Sequence, residues 1–134
     1  MRHTKQRSGA RIRARHAVVV ALAEAYWRAH PSTSVSLAAV CHTVGLSERG
    51  LRNAFYSVRG MSPKRCMLAE RLENARRALR RASTTHATVT TVATDHGFYE
   101  LGRFAAAYRQ AFGETPSATL RGHESKSSLQ HATS

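Results

Sequence analysis

The chain has 134 residues, with 21 Lys and Arg against 8 Asp and Glu and a formal charge of +13. A field this strong on one small domain calls for a polyanionic partner or an anionic surface. No apolar run approaches the roughly 18 residues of a membrane span, and the longest, Ala17 to Ala23, runs straight into Glu24. The basic start lacks a clean small-residue cleavage site after that interrupted stretch, which argues against a secretory leader and for a cytoplasmic protein.

Residues 1–15 hold six Lys or Arg and little apolar surface beyond Ala10 and Ile12, so the segment is expected to be a disordered basic arm. In 16–30, Val18, Val19, Leu22, Tyr26 and Ala29 recur at three and four before Pro31, which predicts a first amphipathic helix. Ser36 can cap a short helix carrying Leu37, Val40, Cys41 and Val44, and Gly45 can turn the chain sharply. Ser47 then opens a helix to Arg59 with Leu51, Phe55 and Val58 on the inward stripe, closed by Gly60. Pro63 suits the first turn of a long helix over 63–82, where Leu68, Leu72, Ala75 and Leu79 form the stripe. At 1.5 Å per residue this linker is about 30 Å long.

The Ser- and Thr-rich stretch Ser83 to Thr88 ends the linker. A short helix, Val89 to Asp95, precedes Gly97, and Glu100 to Phe112 forms a second long helix with Phe104, Tyr108 and Ala111 inward, closed by Gly113. Pro116 starts a last short helix through about Arg121, and 122–134 is polar and expected to be a disordered tail. The sum is an all-α fold of about seven helices.

The second half repeats the first. One constant offset lays Leu37 on Val89, Val40 on Val92, Cys41 on Ala93, Gly45 on Gly97 and Leu46 on Phe98. After the turn the offset grows by one residue and lays Leu51 on Phe104, Phe55 on Tyr108, Val58 on Ala111, Gly60 on Gly113 and Pro63 on Pro116. Each copy reads short helix, glycine turn, longer helix, then Gly-x-Ser/Thr-Pro. These are two helix-turn-helix units, 36–60 and 89–113, joined by the linker within one domain, 16–121. An ordinary helical bundle explains neither the matched closing patterns nor the charge.

The outer face of the first longer helix carries Arg49, Asn53 and Tyr56, with Arg52 on the shoulder. Arg can donate two hydrogen bonds to guanine and Asn can pair bidentately with adenine, so these four are the candidate base readers. The second longer helix offers Gly102, Arg103, Ala105, Ala106 and Arg109, with Gln110 at its edge. Only Arg103 is an evident base contact there, and the unit is expected to position more than specify. Ser47, Arg76, Arg77 and Arg109 are the candidate phosphate contacts. The linker also carries Lys64, Arg65, Arg71, Arg80 and Arg81 against Glu70 and Glu73, some facing the duplex and others solvating the helix. A linker of about 30 Å suits two half-sites one turn apart, roughly 34 Å, so one copy can read both.

From about Leu37 to Arg121 the chain resembles the DNA-binding domain of the AraC/XylS family of bacterial transcription regulators. The segments that carry the resemblance are Leu46-Ser47-Glu48-Arg49-Gly50-Leu51 with Phe55, Gly60-Met61-Ser62-Pro63, Arg71-Leu72 with Ala75-Arg76, Val92-Ala93 with Gly97-Phe98, and Phe104, Tyr108, Phe112-Gly113 with Pro116. The family usually has an aromatic where Cys66 stands and polar residues where Leu101 and Gly102 stand. The resemblance implies an asymmetric double-stranded promoter site, and activation through RNA polymerase. Many members add a sensing and dimerising domain; nothing before His16 reads as one, so the chain is expected either to act alone or to have lost its sensor. No small-molecule effector site is evident.

Catalysis, metals and cofactors find no support. Cys41 and Cys66 lack partners at zinc-binding spacings and read as reduced, buried and small. Cys41 and His42 are adjacent and turn to different helix faces, and His96 beside Gly97 reads as a turn residue. Two rivals stay open on sequence alone: a nonspecific basic nucleic-acid-binding protein, and a truncated regulator fragment with no regulatory activity of its own.

Overall fold

The computed structural model describes residues 2–82 and 88–122, with the side chains of 2–7 left aside. The expected tail, apart from Gly122, and most of the Ser/Thr-rich stretch lie outside the described residues. Among the described residues the fold is all helical: α1 (Arg2–Arg28), α2 (Leu37–Val44), α3 (Glu48–Arg59), α4 (Pro63–Arg81), α5 (Val89–Asp95), α6 (Leu101–Phe112) and α7 (116–122). Two compact units divide the chain. Unit 1 comprises Met1–His30 with Val35–Leu68, and unit 2 comprises Pro31–Ser34 with Ala69–Ser134.

In unit 1, α1 packs on α2 and α3. Val20, Ala23 and Trp27 of α1 meet Val40 and Cys41 of α2 and Leu51, Ala54 and Phe55 of α3, with Cys66 and Met67 at the border. The Trp27 and Phe55 rings lie 5.6 Å apart. Glu24 is only 8% exposed and accepts a 2.7 Å hydrogen bond from Arg59 at the end of α3. Burying a carboxylate is costly unless a cation meets it, so this pair ties α1 to α3 through charge as well as packing.

Two expectations for α1 are corrected. The segment 1–15 is helical from Arg2 rather than a disordered arm. Its Lys, Arg, Gln and Ala are good helix formers, it has no proline, and extending a helix already anchored at Val20 to Trp27 avoids the cost of nucleation. The buried stripe is also displaced. Val18, Leu22 and Ala29 face solvent, while Val20, Ala23, Glu24 and Trp27 are buried. An Ala- and Val-rich helix offers several apolar stripes, and the largest side chain, Trp27, selects the one that packs.

Unit 2 encloses Leu72, Ala75 and Leu79 of α4, Val92 and Ala93 of α5, and Phe104 and Tyr108 of α6. Its rings form a ladder: Phe98 to Phe104 at 4.7 Å, Phe104 to Tyr108 at 5.7 Å and Tyr108 to Phe112 at 4.7 Å. Tyr108 donates to Thr119 of α7 at 2.7 Å, and Thr119 in turn donates to Glu114 at 2.6 Å. Burial pushes the Tyr108 phenol above its ordinary pKa, keeping it a neutral donor. The loop 31–34 is fastened to this unit by Arg71 and Tyr99, which donate to the carbonyls of Thr33 and Ser32.

Capping confirms the repeat bond by bond. Ser36 accepts from the Ala39 amide and Thr88 from the Thr91 amide; Ser62 accepts from Arg65 and Thr115 from Ala118. In both turns the amide after the glycine reaches the carbonyl of the small residue, Leu46 to Cys41 at 3.1 Å and Phe98 to Ala93 at 2.8 Å. This bond closes a helix when the glycine adopts positive φ, as Gly45 (73°) and Gly97 (85°) do. Two caps break the symmetry: α2 ends on Gly45 but α5 on His96, and the longer helices start differently. Ser47 caps α3 through the Gly50 amide at 3.1 Å, whereas Glu100 makes no side-chain cap to α6. Ser47→Ala is therefore expected to lower stability by about 1 kcal/mol in urea unfolding, and Glu100→Gln to change it by under about 0.5 kcal/mol.

The inward stripes are corrected in the same way in each copy. Val58 and Ala111, expected inside, are exposed, and Ala54 and Ala107 turn inward instead, Ala54 fully and Ala107 partly. Each alanine precedes a core aromatic, Phe55 or Tyr108, and lets the neighbouring helix approach it closely. Leu68 is likewise exposed, while Leu72, Ala75 and Leu79 are buried as expected.

Candidate nucleic-acid interface

Burying Leu51, Ala54 and Phe55 turns the opposite side of α3 to solvent at about 100° per residue. Arg49, Arg52, Asn53 and Tyr56 are all exposed there, together on one face. Arg52 lies 3.6 Å from Glu48, one turn earlier, with both side chains more than half exposed. Ser47 sits at the start of the same helix. Its oxygen accepts the cap bond from Gly50, so its hydroxyl proton remains available to an acceptor such as a phosphate oxygen.

On α6, burial of Phe104 and Tyr108 leaves Leu101, Gly102, Arg103, Ala106, Arg109 and Gln110 exposed and Ala105 half-buried. Gly102 has open space around it. A shallow cleft is lined by Ala105, Ala106, Arg109, Gln110 and Thr115. Its small floor and its amide and guanidinium rim suit a backbone phosphate or a thymine methyl better than a bulky ligand. Arg103 is paired with Glu100 at 2.8 Å while 86% exposed.

The cations expected along α4 divide into three kinds. Lys64, Arg65, Arg77, Arg80 and Arg81 face solvent and can meet phosphates. Arg76 is half-buried with its guanidinium 4.6 Å from the Phe112 ring centroid, and its Nε is buried without a hydrogen-bond partner among the described residues. That side chain packs the end of α6 with its cation–π contact. Arg71 is 7% exposed and holds the loop 31–34 through Thr33 at 2.8 Å. Desolvation draws its pKa below the ordinary arginine value, yet a guanidinium in protein keeps its charge.

Arg71 is thus a structural residue that composition alone placed among the cations. The signal for it was spacing: Arg71 stands one turn before Ala75 and two before Leu79, on the core side of α4. His96 ends α5, its Nδ1 2.7 Å from the Val92 carbonyl oxygen, in keeping with a turn residue. Cys41 is buried with its thiol pushed up by desolvation, and Cys66 is half-buried. Among the described residues no helix is long and apolar enough to cross a membrane.

A family profile described as a helix-turn-helix domain matches residues 40–122. A probable AraC family transcriptional regulator from Rhodopseudomonas palustris has a crystal structure that superposes with a TM-score of 0.68 at 36% identity, over 78% of this chain and 96% of that one. The chain belongs to the AraC/XylS family. Over 103 residues this AraC/XylS chain is 39% identical to a probable thc operon regulatory protein of Rhodococcus erythropolis, covering 77% of this chain and 31% of that protein. Over 88 residues it is 41% identical to the XylDLEGF operon transcriptional activator of Pseudomonas putida, covering 66% of this chain and 27% of that protein. It therefore spans less than a third of the length of these two curated relatives. The DNA-binding domain of AdpA, solved with a target DNA, shares the AraC/XylS fold with a TM-score of 0.72 at 20% identity, over 80% of this chain and 94% of that one.

Proposed function

We propose that this AraC/XylS chain is a sequence-specific regulator of transcription that binds double-stranded promoter DNA by inserting α3 and α6 into the major groove. The observation that carries the reading is the face of α3, where Arg49, Arg52, Asn53 and Tyr56 stand exposed on a helix capped by Ser47. In this reading those four side chains contact base edges. Arg103 adds a base contact from α6, and Ser47, Arg77 and Arg109 take phosphates. Arg76, placed against Phe112, contributes to phosphate binding only through its charge. One copy carries two such helices, which supports binding as a monomer in the cytoplasm beside the chromosome. Activation through contact with RNA polymerase is part of the proposal, in line with the activator role named for the Pseudomonas putida relative. No enzymatic activity is proposed.

The test begins by selecting bound duplexes from a random pool. Arg52→Ala and Asn53→Ala are each expected to cost about 1–3 kcal/mol on the best duplex and little on random duplex. Arg77→Ala should weaken both alike and lower the salt slope by about one phosphate. Equal losses on both duplexes for Arg52→Ala and Asn53→Ala would remove those residues from base reading.

A further inference from the structure

We infer that Glu48 and Glu100 are specificity-determining residues: each holds an arginine of a reading helix off nonspecific phosphate and raises discrimination rather than affinity. This rests on the DNA-reading function proposed above. The chain has only 8 acidic residues against 21 Lys and Arg, yet each reading helix begins with one of them on its solvent side. Glu48 lies 3.6 Å from Arg52 and Glu100 lies 2.8 Å from Arg103. These are two of the three exposed arginines proposed to contact bases, the third being Arg49.

Neither pair is explained by stability. All four side chains are more than half exposed, and exposed pairs one turn apart contribute only a few tenths of a kcal/mol. Glu100 stands where the other copy has its capping serine but makes no cap bond; its carboxylate goes to Arg103 instead. The two copies thus reach the same acid–arginine arrangement by different spacings, four residues apart in α3 and three in α6.

The chemistry favours discrimination. A carboxylate on a groove-facing helix repels the phosphates of any duplex, so it weakens binding to every sequence. Compensation comes only where the bases supply it, either because cytosine N4 donates to the carboxylate or because guanine O6 and N7 accept two hydrogen bonds from the arginine. A weak, exposed pair suits that exchange, since the arginine is oriented without being fixed.

The experiment measures affinity for the best selected duplex and for random duplex with Glu48→Gln, Glu100→Gln and, as a charge control on α4, Glu73→Gln. Both reading-helix variants should tighten binding to random duplex about 3- to 10-fold while changing the best duplex less than about twofold, so that the specificity ratio falls. Glu73→Gln should move both duplexes equally and leave the ratio intact. Overlapping urea unfolding curves for wild type and Glu100→Gln would show that a changed ratio is not a folding effect. If Glu48→Gln and Glu100→Gln shift both duplexes by the same factor, as the control does, the carboxylates act as bulk charge and the inference is overturned. If the wild-type chain selects no sequence at all, the DNA-reading function fails first, and the inference with it.

Discussion

Trp27→Ala is expected to lower stability by about 3–5 kcal/mol, the range for truncating a fully packed aromatic. Trp27 is 2% exposed and its ring lies against Phe55, on the side of α3 opposite Arg52 and Asn53. The void would open between α1 and the helix that presents the proposed base readers, so affinity for DNA should fall along with the urea midpoint. Leu22→Ala provides the comparison. Leu22 is 52% exposed, and its loss should stay within about 0.5 kcal/mol. Similar losses at the two positions would mean that α1 packs through the stripe expected from sequence, and not through the one seen.

Gly97→Ala is expected to cost about 3–5 kcal/mol, well above Gly45→Ala at about 1–2 kcal/mol. Both glycines close the turn of their units at positive φ, so both substitutions force an L-residue into the left-handed region. Their surroundings differ. A Cβ on Gly45 meets nothing within 4 Å, whereas one on Gly97 falls 2.2 Å from Nη1 of Arg71 and 3.3 Å from the Pro31 carbonyl oxygen. Arg71 would have to leave its place, giving up a charge-assisted hydrogen bond to Thr33 and stranding a buried cation. Equal losses in urea unfolding would show that turn geometry alone sets the cost.

The repeat was legible because the features that define it are local. Glycines at the turns, small residues four positions earlier and the Gly-x-Ser/Thr-Pro closures each serve a bond within a few residues, and the paired caps and turn bonds are in place. The exposed face of α3 was legible for a similar reason, because Leu51 and Phe55 fix its rotation. Errors gathered where several faces were equally apolar. Nothing local distinguishes Leu22 from Val20, or Val58 from Ala54; the choice is made by Trp27 and by partner helices distant in sequence. Composition misled at the N-terminus, where charge density suggested disorder although every residue type except Gly9 tolerates a helix. Composition also could not show that Arg71 holds the Thr33 loop or that Arg76 lies over the Phe112 ring, because both partners are distant in sequence.

The pairing of Glu48 with Arg52 and of Glu100 with Arg103 bears on how so cationic a chain would find one sequence. A formal charge of +13 favours attraction to any duplex whatever its sequence, so under the proposed function selectivity would depend on side chains that penalise the wrong one. The most direct measurement of the central claim is a competition in about 150 mM salt between the best duplex selected from a random pool and unlabelled random duplex. A sequence-specific regulator should hold the selected duplex at least about 10³-fold more tightly, with most of that preference lost in the Arg52→Ala, Asn53→Ala double variant. Displacement by random duplex as effective as by the selected one would contradict the account and leave a basic protein that binds DNA by charge alone.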